Sequence, residues 1–387
     1  MKPKLKLKKK WVVIIIFLIA IILIVWNRYD SYMKNTRVKV NDETVEKGLF
    51  KDYYKKAQKT VSQMTLQEKV GQLFLVKYNV NDVEYLSNFY PGGYVLFAKD
   101  FQPNTKEQMI EEIKEDQELN KYPLIMAVDE EGGTVTRISR YIAYRDEIFK
   151  APREYVEIGG YDLLKETETE KAKLLKELGI NLNLAPVADI STNPEDFMYD
   201  RAFRYGTKET TEFVKNMVTY ANENKINSCL KHFPGYGNNE DTHTGVAIDE
   251  RSYEEINTND FKPFKAGIEA GVPSVLVSHN VVVSIDKDYP ASLSKEVIFE
   301  LRKNLDFTGI IITDDLDMDA VKSYVEDGKA ATLALNAGCD MMITSDFMNM
   351  KNEIIESVEN GDISEETLNT AVVRIIAWKY YSGLFEK

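Results

Sequence analysis

The chain of 387 residues carries 49 basic and 62 acidic side chains, a formal charge of −13, with 44% hydrophobic residues and two cysteines. Such a length accommodates one large α/β barrel, a fold that commonly occupies about 250 residues and tolerates insertions. The acidic balance argues against nucleic acid as a partner, and Cys229 and Cys339, each inside an apolar strand-like run, make no disulfide framework and read as buried thiols.

The first 28 residues hold seven basic side chains and no acid, around an apolar run from Trp11 to Val25 closed by Trp26. As a helix this run would rise about 24 Å, slightly short of a ~30 Å hydrocarbon core, with lysines and Trp11, Trp26, Tyr29 and Tyr32 covering the interfaces. The V-W-N-R-Y that follows lacks the small residues of a signal-peptide cleavage site, and no cysteine is placed for lipid attachment. The expectation is an uncleaved single-pass anchor with its lysines in the cytoplasm and the rest of the chain outside the cell membrane. On this reading residues 1–27 are tail and anchor, 28–52 a polar stalk, and 53–387 an exported catalytic domain. With the seven leading basic residues set aside, 42 basic face 62 acidic side chains, about −20.

From Tyr53 onward, short β-rich runs alternate with amphipathic stretches of helical period, the signature of repeated βα units. The predicted strands are 71–76, 93–97, 124–129, 181–187, 226–233, 274–279, 309–314 and 340–344. Several are apolar on consecutive residues, as in I-I-I-T-D ending at Asp314, which suits parallel strands covered on both faces. An open doubly wound sheet would share that texture but usually carries a glycine-rich phosphate loop after its first strand, and none is present there. The reading is therefore a single (β/α)8 TIM-type barrel preceded by a transmembrane helix.

In such a barrel the chemistry gathers where the strands end. Strand three ends in Asp129, strand five in Lys231-His232, strand six in His279 and strand seven in Asp314-Asp315. All three histidines, His232, His243 and His279, fall at strand ends or in the loop leaving strand five. In that loop Asp241 and His243 are two apart, so in extended backbone their side chains share a face and the carboxylate can fix the imidazole tautomer. An Asx-type turn with an incidental histidine has the same spacing. A zinc or two-metal hydrolase site would use the same residue types, but H-E-x-x-H, paired H-x-H and cysteine ligand pairs are absent, and no metal is expected.

The stretch K-H-F-P-G-Y-G-x-x-x-D-T-H-T-G (231–245) resembles the signature loop of the β-N-acetylhexosaminidases of glycoside hydrolase family 3. V-D-E-E-G-G-T-V-T-R (128–137), N-L-A-P-V-A-D-I (183–190), P-A-S-L-S (290–294), F-T-G-I-I-I-T-D-D-L-D-M (307–318) and A-G-C-D-M-M (337–342) are similar to further segments of that family, in the same order. Residue by residue, the resemblance implies that Asp314 is the nucleophile, His243 the general acid/base and Asp241 its partner. It implies that Asp129, Arg137, Arg201, Lys231 and His232 contact hydroxyls or organise the pocket of the terminal sugar. The family members of this type act without a cofactor on N-acetylglucosamine linked β to another sugar, commonly N-acetylmuramic acid of cell-wall fragments. Tyr236 and Glu130 depart from the family pattern, which more often has His and Gln, and are expected to bear on loop packing or the aglycone side. The rival readings are a β-glucosidase or xylosidase of the same family, a phosphorolytic enzyme using the same site, and a silent wall-binding barrel; the oligomeric state is not readable.

Overall fold

The computed structural model describes Ile22, Val40 and residues 43–237, 245, 247–325 and 328–386. The run Trp11–Val25 expected to cross a membrane falls almost wholly outside the described residues, and among those described no helix is long and apolar enough to do so.

The described strands are β1 Phe74–Lys77, β2 Gly93–Leu96, β3 Ile125–Val128, β4 Leu182–Asn183, β5 Asn227–Phe233, β6 Ile248–Asp249, β7 Ser274–Val277, β8 Val281–Val282, β9 Ile310–Asp315 and β10 Met341–Thr344. All but β6 and β8 close a parallel barrel in the order β1-β10-β9-β7-β5-β4-β3-β2. Each barrel strand corresponds to one of the eight predicted. The first starts later than expected, because Leu66–Gly71 is a helix opened by a Thr65–Glu68 capping box. The fourth keeps a continuous ladder at Leu182–Asn183, with one further parallel bridge between Val187 and Lys231. The pairing of β6 with β8 in a separate two-stranded sheet was not anticipated; each is two residues long, too short for a periodicity to show.

The strands are apolar on successive residues because side chains of one parity fill the barrel while the other parity meets the surrounding helices. Phe74, Leu75, Ile125, Met126, Val275, Ile311, Ile312 and Met342 are all buried. The helix Glu365–Tyr381 lies across the N-terminal ends of the strands. Its Trp378 Nε1 donates to Asn227 Oδ1 at 3.0 Å at the start of β5, and Lys379 Nζ donates to Gln72 Oε1 at 2.7 Å ahead of β1. Its Arg374 pairs with Asp340, just before β10. Leu368, Val372, Ile375, Ile376 and Trp378 of this helix are buried, each contributing about 1.5–3 kcal/mol, so this end of the barrel is closed.

Residues 43–52, expected to belong to a polar spacer, pack on the same end. Val45 and Phe50 are buried, Leu49 N–H donates to Thr308 Oγ1 at 2.9 Å, and the Phe50 and Tyr381 rings lie 5.2 Å apart. The apolar spacing of Val45, Leu49 and Phe50 is what docks this stretch against the barrel.

Candidate active site

At the opposite end, a cavity of about 310 Å³ opens among the C-terminal ends of the strands. Asp129, Arg137, Arg201, Lys231, His232 and Asp314, all singled out from the sequence, line it. The convergence of Asp129, Lys231, His232 and Asp314 follows from topology, since parallel strands present their last residues to one rim, and Arg137 and Arg201 reach it from loops. Asp241 and His243 lie outside the described residues.

The rim is organised by ion pairs that cross strands. Lys231, on β5 and fully buried, donates to Asp129 Oδ1 at 2.5 Å and to Glu131 Oε1 at 2.6 Å. Burial alone would depress its ammonium, but the Asp129 and Glu131 carboxylates outweigh that and raise it. Arg201 holds Glu131 with both arms of its fork, at 2.8 and 3.1 Å. Burial would push the Glu131 carboxyl up, yet the Lys231 and Arg201 cations hold it well below the usual carboxylate range.

Arg201 also donates to His232 Nε2 at 3.3 Å, while His232 Nδ1 donates to Asp189 Oδ2 at 2.7 Å. These two partners require the proton on Nδ1 and the lone pair on Nε2. His232 is therefore a scaffold between Asp189 and Arg201, and its exchangeable proton faces away from the cavity. Asp189 further accepts from the Tyr236 N–H at 2.8 Å, tying the start of the loop after β5 to the loop after β4. Peptide bonds 185–186, 231–232 and 233–234 in this region are cis.

Glu131 and Asp189 were not singled out from the sequence. Both lie inside segments quoted for the family resemblance, one two residues after Asp129 and the other closing A-P-V-A-D. Their signal is a charge in an apolar or glycine-rich setting at a strand end, which predicts a buried partner.

The two residues that depart from the family pattern are packing residues. Glu130 is fully buried and accepts from the backbone N–H groups of Arg137, Ile138 and Ser139 at 2.7, 2.8 and 3.2 Å, and from Ser139 Oγ at 2.5 Å. It thereby folds the loop that carries Arg137, whose guanidinium stands 3.8 Å from Asp129 Oδ2 and 5.8 Å from the Phe97 ring centre. Gly132, with φ +100°, is required in that loop because a Cβ there would fall 2.3 Å from the Lys150 carbonyl oxygen. Tyr236 is buried with its ring edge-on to His232, at 5.4 Å between centres.

Asp314, half-buried in β9, accepts at Oδ1 from the Asp315 N–H at 2.8 Å. His279, expected on the rim, is fully buried and does not line the cavity: its ring bonds the Ser292 hydroxyl and the carbonyl of Asp315, which does. Cys229 and Cys339 are buried free thiols, and burial pushes the Cys229 thiol up to about 12.

The glycosyl hydrolase family 3 N-terminal domain matches residues 65–378 of the chain. A β-hexosaminidase of Nitrosomonas eutropha is 30% identical over 284 residues, covering 71% of this chain and 79% of that protein. One from Hydrogenovibrio crunogenus is 31% identical over 283 residues, covering 71% and 78%. Among solved structures, a family 3 β-N-acetylglucosaminidase from a Paenibacillus species superposes with a TM-score of 0.77 at 26% identity, covering 83% of this chain and 63% of that one. The chain thus spans less than two thirds of that structure's length. A match running almost from the first barrel strand's preceding helix to the closing helix, joined to a charged rim at the open end, leaves one assignment: the chain belongs to glycosyl hydrolase family 3, among its β-hexosaminidases.

Proposed function

We propose that this enzyme is a retaining, exo-acting β-N-acetylglucosaminidase that removes terminal N-acetyl-β-hexosaminyl units from peptidoglycan-derived fragments through a covalent glycosyl-Asp314 intermediate. The observation that carries this reading is the Asp314 carboxylate on the wall of a small cavity that also displays Asp129, Arg137, Arg201 and Lys231. A volume of about 310 Å³ is at the low end for ligand pockets and suits one terminal sugar ring, hence exo action. The fixed cations and carboxylates offer donors and acceptors to ring hydroxyls without reorganising.

In the first step Asp314 attacks the anomeric carbon as the bond to the leaving oxygen breaks and that oxygen takes a proton. In the second step water, losing a proton, displaces the carboxylate and returns it. His243, oriented by Asp241, is assigned the proton transfers on the D-x-H spacing and the family resemblance. An imidazole suits both duties near neutral pH, since it must be charged in one step and neutral in the other. The apolar N-terminal run, read as a membrane anchor, supports a position outside the cell membrane, where wall fragments arise.

The test is covalent trapping of the detergent-solubilised full chain with a slow-turnover 2-acetamido fluoro-sugar. The expected adduct sits on a peptide containing Asp314, alongside release of N-acetylglucosamine from a chromogenic β-glycoside. Labelling of Asp129 or Asp317 instead, or release of glucose or xylose in preference, overturns the reading.

A further inference from the structure

Asp314 is followed directly by a second acid, and that neighbour is held from three directions. Lys77, the last residue of β1, forms an ion pair with the Asp315 side chain. His279 Nε2 donates to the Asp315 carbonyl oxygen at 2.9 Å, and Nδ1 of the same ring accepts from the Ser292 hydroxyl at 2.7 Å. A neutral ring protonated at Nε2 satisfies both bonds at once. The Asp317 N–H donates to Asp315 Oδ1 at 3.1 Å, and Asp317 is itself tied to Ser345 through backbone and hydroxyl at 2.6 and 2.5 Å. Residue 315 therefore has its side chain, its carbonyl and its turn fixed by β1, by the segment after β7 and by the segment after β10. Its one remaining backbone group, the N–H, points at Asp314 Oδ1.

Two carboxylates on consecutive residues at one half-buried strand end disfavour each other's ionised form, and a nucleophile must be ionised. Burial pushes the Asp315 carboxyl above its ordinary value, and the Lys77 ammonium acts against that. Lys77 lines the cavity yet is committed to Asp315. It cancels the second negative charge at its source.

We propose that Lys77 and His279 hold Asp315 as the frame that aims and ionises Asp314, Lys77 through the ion pair with its side chain and His279 through the bond to its carbonyl. Both are positioning residues that act through Asp315. The inference rests on Asp314 being the nucleophile.

Because His279 is buried and its replacement can unfold the chain, Lys77 carries the test. Single-turnover kinetics of the full chain on an aryl N-acetyl-β-glucosaminide would compare wild type, Lys77→Met, Lys77→Arg, Asp315→Asn and the Lys77→Met/Asp315→Asn double variant. Lys77→Met is expected to slow glycosylation at least about tenfold, with the inhibition constant of N-acetylglucosamine within about twofold of wild type and most of the rate regained in Lys77→Arg. The double variant is expected to be no slower than Asp315→Asn alone, the sign that Lys77 works through Asp315. A Lys77→Met rate within about threefold of wild type, losses that multiply in the double variant, or a loss matched by weaker sugar binding would each overturn the proposal. Failure of the underlying reading looks different: a fluoro-sugar adduct on a residue other than Asp314 in the wild type.

Discussion

The two ends of the barrel use the same side chains for opposite purposes. At the closed end, Asp340 accepts from Arg302 at 2.5 Å and from the Ile311 N–H at 2.8 Å, and also pairs with Arg374; all of these groups are buried. Its charges join two strand starts to the helix laid across them. At the open end, Asp129, Lys231, Glu131 and Arg201 make equally short contacts, but Asp129 and Arg201 keep a face on the cavity. The difference lies in what covers each end: a largely buried helix at one, an open cavity lined by Asp129, Arg201 and Asp314 at the other. The closed-end trio Arg302, Asp340 and Arg374 also borders a cavity, of about 550 Å³ beside the closing helix, so what sets the open end apart is the Asp314 carboxylate among its charges.

Three substitutions would break or sharpen that contrast. Asp314→Asn at the open end is expected to lower turnover by about four orders of magnitude while leaving the thermal midpoint close to wild type, as measured by aryl-glycoside hydrolysis beside a melting curve. Asp340→Asn at the closed end is expected to do the reverse. Removing one partner of a buried pair costs about 3–5 kcal/mol of stability, read from denaturant unfolding, with specific activity per folded molecule retained. A large activity loss from Asp340→Asn with unchanged stability would erase the distinction between the ends.

The smallest effect concerns Lys379, buried beneath the barrel beside Gln72, where desolvation lowers its ammonium from 10.5 to about 7. Its folded value lies below the unfolded one, so between about 7 and 10.5 the unfolded chain binds a proton that the folded chain does not. Stability is therefore expected to rise as pH goes from 7 to 9, by on the order of 1 kcal/mol, and Lys379→Met to flatten that rise. An identical slope in the variant would mean that the buried amine stays charged.

Much of the open end was legible in the sequence because strand ends are one-dimensional marks: an apolar run stops at a charge. Asp129, Lys231, His232 and Asp314 were found that way, and topology alone brought them to one cavity. Arg137 and Arg201 came only through the family resemblance, since each sits in a loop whose path depends on buried anchors such as Glu130 and Glu131. His279 shows the limit of the method, because a histidine after a strand can face the mouth or turn behind it, and spacing does not distinguish the two. The closing helix gave little signal of its role. Being covered on nearly every side, it lacks the polar stripe that identifies a surface helix, and its partners Asn227, Gln72 and Asp340 are scattered through the chain.

The meeting of Phe50 with Tyr381 and the stacking of Tyr53 on Tyr380 put both extremities of the folded body on the blind side. Whatever is hung from either extremity, be it a lipid bilayer, a resin bead or a fluorescent reporter, attaches at the end opposite the cavity. The enzyme can thus be leashed or labelled by its tails without a hand over its mouth.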